Sequence, residues 1–127
     1  MHAKHLFEYA VIRIVPRVER EEFLNVGVIL YCRDKKFLSC KIALDHQKLK
    51  ALCSNADCDE VEEHLRSFER ISRGESTGGP IAALDLPSRF RWLTATRSTV
   101  VQTSKVHPGL CDEPEATLEK LHAQLVL

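Results

Sequence analysis

The chain has 127 residues, 44% hydrophobic and 28% charged, the make-up of one ordinary globular domain rather than two. Eighteen Lys and Arg balance eighteen Asp and Glu, which argues against a general nucleic-acid or membrane-surface binder. Residues 1–7 hold two His, a Lys and no apolar stretch, so no signal peptide or membrane span is expected there and the chain reads as cytoplasmic.

Three runs rich in β-branched and aromatic residues, 7–15, 23–32 and 37–44, read as strands. Their even-numbered positions are aliphatic: Ala10, Ile12 and Ile14, then Leu24, Val26, Val28, Leu30 and Cys32, then Leu38, Cys40, Ile42 and Leu44. Period two puts these on one side of a sheet and predicts a single main core face. Keeping even residues together across antiparallel neighbours requires hairpin loops with odd numbers of residues, because a one-residue slip inverts every side chain. A loop at 34–36 then sets Cys32 opposite Leu38 and Leu30 opposite Cys40.

Asp45 opens a short helix with Leu49 and Leu52 inward, and Asn55 or Asp57 caps a longer one. Glu60 follows Asp57 at capping-box spacing, and Val61, Leu65, Phe68 and Ile71 or Ser72 form its inner stripe. Gly74 ends that helix. The connection GESTGGP is no phosphate loop, since no Gly-Lys-Ser/Thr follows its glycines. The run RFRWLTATRSTVVQTS reads as one or two short strands around Trp92 and Val100. A last helix opens at Asp112, with Pro114 in its first turn, and buries Leu118, Leu121 and Leu125. The predicted order βββααβα is one α+β domain over residues 1–127: an antiparallel sheet of three N-terminal strands plus one or two later ones, packed with about three helices.

Two features point to a site. The odd-numbered face of the first hairpin is mixed, and a turn near residues 18–20 sets Arg13 opposite Asn25 and diagonal to Gly27. A glycine beside an arginine leaves a hollow that would suit an anion or a peptide; the plainer alternative is an arginine lying over the sheet with Gly27 at a bulge. The second feature is electrostatic. Residues 86–111 contain no acid but carry Arg89, Arg91, Arg97 and Lys105, so the neutral total hides a basic stretch. Ser98, Gln102 and His107 in the same stretch are hydroxyl, amide and ring groups of the kind that contact phosphate oxygens. Part of this basic excess is expected to pair with the acidic helix at 57–69. The candidate ligand or partner site is therefore Arg13, Asn25, Gly27, Arg91, Arg97, Ser98, Gln102 and His107.

Other chemistries find little support. Five cysteines, Cys32, Cys40, Cys53, Cys58 and Cys111, are odd in number and irregular in spacing, which fits reduced thiols. A zinc site would need Cys53 and Cys58 with His46 or His64, and no second pair follows at ligand spacing, so neither a metal nor any other cofactor is expected. Ser98, Ser104 and His107 sit in no nucleophile elbow, His107 before Pro108 and Gly109 reads as a turn residue, and its spacing from Cys111 specifies no Cys–His pair. The balance leans away from an enzyme.

The blocks YAVIRIVPRVEREEFLNVGVILY and RFRWLTATRSTVVQTSKVHPGLC resemble the bacterial family named domain of unknown function 3037, over residues 7–121. The resemblance brings no catalytic residue with it. It implies a small bacterial cytosolic protein whose gene often neighbours that of a HipA-like kinase, and hence an accessory or interaction partner of such a kinase. The alternative from the residues alone is a binding domain or small enzyme that holds a phosphate-bearing molecule in an arginine-lined cleft.

Overall fold

A computed structural model describes residues 4–95 and 99–127. The chain runs β1 (His5–Ile14), β2 (Leu24–Cys32), β3 (Phe37–Ile42), α1 (His46–Leu52), α2 (Cys58–Arg73), α3 (Leu86–Leu93), β4 (Val101–Thr103), β5 (His107–Cys111) and α4 (Pro114–Leu125). The five strands form one antiparallel sheet in the order β3-β2-β1-β4, and β5 pairs the N-terminal half of the edge of β1 that β4 leaves open. The fold is α+β as predicted, with one more helix and a fully split late strand pair.

The single core face is corrected. β1 and β2 begin in the predicted register, with Ile14 opposite Leu24 and Arg13 opposite Asn25, but Val26 is an extra residue and the pairing resumes with Ile12 opposite Gly27 and Ala10 opposite Ile29. This bulge reverses the phase of β2. Leu24 and Val26 share a face with Ile12 and Ile14, and beyond the bulge Ile29 and Tyr31 take over that side. Val28, Leu30 and Cys32 turn to the other face, against Phe7, Cys111 and Leu118. The sheet therefore has two cores, one under α2 and α3 and one under α4.

The second hairpin differs as well. Its loop is the four residues 33–36, closed by Lys36 N–H to the Arg33 carbonyl at 3.1 Å with Lys36 at φ 49°, so Cys32 faces Phe37 and Leu30 faces Ser39. An even-numbered loop fits once β2 has changed phase at the bulge.

Helix starts follow their caps. Asp45 accepts from Gln47 and Lys48 amides, and Asp57 accepts from the Glu60 amide at 3.1 Å. Val61, Leu65, Phe68, Ile71 and Ser72 of α2 are all buried, and Gly74 closes the helix at φ 70°, a left-handed backbone that suits glycine. The run around Trp92 is corrected from strand to helix. Asp85 accepts from the Ser88 amide at 2.9 Å, Pro87 occupies the first turn, and Arg89, Phe90 and Leu93 face inward. The cap of α4 is Glu113 rather than Asp112, and its inner stripe includes a buried His122 beside Leu118. His107, expected in a turn, opens β5 opposite Tyr9. Between β4 and β5, Ser104 maintains the pairing: its amide donates to the Val11 carbonyl and its hydroxyl accepts from the Val11 amide, each at 2.8 Å.

Candidate functional site

Arg13 lies on the α4-covered face near the end of β1, flanked across the strands by Asn25 of β2 and Gln102 of β4. Its guanidinium carbon sits 4.0 Å from the centroid of the Phe23 ring, a cation–π contact that holds the fork flat. Among the described residues no carboxylate forms an ion pair with it, and its Nε is buried without a partner. Burial pulls the Arg13 pKa below its ordinary value, yet an arginine remains charged.

Arg13, Val15, Glu21, Phe23 and Gln102 line an open cleft of about 340 Å³. Phe23 is 47% exposed and supplies an apolar wall. Gln102 is held by its amide, which donates to the Thr99 carbonyl at 2.8 Å. Glu21 sits at φ 56° on the turn between the strands. Asn25, the cross-strand neighbour of Arg13, is outside this lining: its Nδ2 donates to the Leu125 carbonyl of α4 at 3.2 Å, and its Oδ1 is buried without a partner.

The predicted site residues are distributed as follows. Arg13, Asn25 and Gln102 come together in adjacent strands. Gly27 falls on the opposite face, where a Cβ would meet the Lys41 carbonyl at 2.7 Å and Ile42 Cγ1 at 2.9 Å; its missing side chain is filled by core rather than by a hollow beside Arg13. Arg91 is exposed on α3, in the other layer. His107 packs its ring 5.3 Å from that of Tyr9, four residues back along β1 from Arg13, or about 13 Å. Arg97 and Ser98 lie outside the described residues.

Arg89 uses its charge differently from the expected pairing with acids. Its Nη1 donates to the Ile71 and Ser72 carbonyls at 3.2 and 3.1 Å, capping the C-terminal end of α2, where the helix dipole favours a cation. The thiols are free; Cys32 and Cys111 are buried, and burial pushes the Cys40 thiol up to about 11 against the opposing hydrogen bond from Ser72. Among the described residues no three His, Cys, Asp or Glu side chains converge on a metal position. His46 and His64 instead meet Glu62 and Glu60 at 2.9 and 3.7 Å.

Sequence reasoning missed Phe23 and His122 as site neighbours. Phe23 shares the odd face with Arg13 and Asn25 and was legible there. His122 falls four residues after Leu118 and three before Leu125, so the helical period already placed it on the inner stripe.

The fold is a small α+β domain with helices on both faces of its sheet and the Arg13 cleft at the end of its central strand, and none of its described helices is long and apolar enough to cross a membrane. The chain belongs to the family described as protein of unknown function (DUF3037), whose model matches residues 9–126. No curated protein and no solved structure matches the chain.

Proposed function

We propose that this protein is a non-enzymatic accessory protein that binds a partner by receiving one of its anionic groups in the Arg13 cleft. The observation that carries the reading is Arg13 itself: a half-buried cation, held over Phe23 and in no ion pair among the described residues, although Glu21 lines the same cleft. Such a preset fork favours a bidentate carboxylate or phosphate. The partner suggested by the family resemblance is a bacterial cytosolic HipA-like kinase, which would make this chain cytoplasmic as well. Asn25 and Gln102, the cross-strand neighbours of Arg13, would extend the contact. A phosphate-bearing small molecule is the second reading, favoured by a cleft volume of about 340 Å³, at the small end of ligand sites.

The test is co-purification of the full chain with the product of the neighbouring kinase gene, for wild type, Arg13→Ala and Arg97→Ala. A stoichiometric complex that Arg13→Ala weakens at least about tenfold is expected. A complex indifferent to Arg13 would remove the cleft from the interface. No complex, together with thermal stabilisation by nucleotides or sugar phosphates, would select the small-molecule reading.

A further inference from the structure

Three side chains on the α4-covered side carry buried polar atoms without a partner: Arg13 at Nε, Asn25 at Oδ1 and His122 at both ring nitrogens. Buried polar atoms are nearly always bonded, so an unbonded group of this kind calls for a reason. His122 is the deepest of the three, 3% exposed. It sits on the inner stripe of α4 one turn before Leu125, and the Leu125 carbonyl is what the Asn25 amide holds. The same last turn that buries His122 thus covers Asn25, the cross-strand neighbour of Arg13. Side-chain bonds that tie α4 to the sheet include Thr117 to Cys111 in its first turn, Glu119 to Lys41 at 3.4 Å and, in its last turn, the Leu125 carbonyl to Asn25.

We propose that the C-terminal turn of α4 is a proton-operated latch on the Asn25 side of the Arg13 cleft, closed while His122 is neutral and released when His122 takes up a proton. Its bearing on binding rests on the cleft reading above; the latch itself does not.

The carboxylate beside His122, Glu119 of α4, is engaged by Lys41 of β3, which has the sign of an imidazolium, and β2 under α4 presents the apolar Val28 and Leu30. A buried charge without an acceptor is far more costly than a buried neutral ring. Burial chiefly, and then Lys41, hold the His122 pKa below its ordinary value, with Glu119 opposing. Once α4 lifts, the ring regains the ordinary value of about 6.5, so opening takes up a proton. The opening equilibrium should grow by up to about tenfold per pH unit below that value, until the folded pKa is passed.

Amide hydrogen exchange of the full chain tests this, corrected for intrinsic rates and compared at about pH 7.5 and about pH 5.5. Exchange in residues 118–127 should rise by about tenfold more than at Val28 and Leu30 of β2. His122→Leu should abolish that selective rise, and Asn25→Ala should give fast exchange in the last turn at both pH values. An equal rise in β2, no rise, or a rise that survives His122→Leu would overturn the latch. Should His122→Leu fail to fold, the ring ¹⁵N titration of His122 in the wild type decides: it must follow the exchange curve, and an ordinary titration with unchanged exchange sinks the proposal. Arg13→Ala separates the two readings. It should keep the exchange response while losing the partner; retained partner binding would count against the cleft and leave the exchange result to judge the latch.

Discussion

The two faces of the sheet are built on different rules. The face under α2 and α3 is mainly apolar, with Ile12, Ile14, Val26 and Ile29 fully buried against Leu65, Phe68, Ile71 and Phe90, and its buried Ser72 and Arg89 bond to backbone carbonyls of α2. The face under α4 is apolar only at one end, where Phe7, Val28, Leu30, Cys32 and Cys111 meet Leu118. At its other end the side chains are Arg13, Asn25 and His122, with bonding capacity unused. A continuous apolar layer supplies stability in proportion to the area it removes from water. A layer that ends in unpaired polar groups gives up part of that contribution. Stability belongs to the first face and to half of the second, and the binding chemistry proposed above would belong to the remaining half.

Substitutions that distinguish these regions sharpen the contrast. Val28→Asp places an unpaired charge at a position with no exposure in the apolar half of the α4 face. It should cost about 4 kcal/mol or more and abolish soluble expression. A soluble, cooperatively folded variant would mean that this half is not core. Gly27→Ala tests the opposite face, because the added methyl meets the backbone carbonyl of Lys41 at 2.7 Å. A loss of about 1–3 kcal/mol in denaturant unfolding is expected, with binding by the folded fraction unchanged. Asp85→Ala removes the cap of α3, the helix that delivers Arg89 to the end of α2, and should cost about 1 kcal/mol.

The polar end should respond in reverse order. Arg13→Ala is expected to shift stability by no more than about 1 kcal/mol, since no ion pair is broken, while partner binding is lost. Unfolding of Arg13→Ala with normal binding by the surviving fraction would assign this arginine to the scaffold instead. The smallest effect concerns the thiols. At about pH 8 the native protein should expose Cys53 and Cys58 to a thiol reagent, and leave Cys32, Cys111 and the Cys40 thiol, raised to about 11, unreactive until denaturation. Rapid native labelling of all five would contradict the burial of both cores.

Local signals in the chain were strong wherever one residue type satisfies one backbone requirement. Asp45, Asp57 and Gly74 bound α1 and α2 because a short acceptor satisfies free amides at a helix start and glycine tolerates the left-handed stop. Asp85 and Pro87 carried the same signal for α3, but the aromatic residues after them read as a strand. The pairing of Arg13 with Asn25 was legible because it needs only the length of the turn between two obvious strands. The bulge at Val26 was not. Residues Val26 to Cys32 are buried on both faces of the sheet, so their apolar run has no period to reveal which residues turn to α2 and which to α4. The placement of Gly27 away from Arg13 follows from that reversal of phase. The contact of Asn25 with Leu125 joins segments 100 residues apart along the chain, and only the packing of helix on sheet decides it.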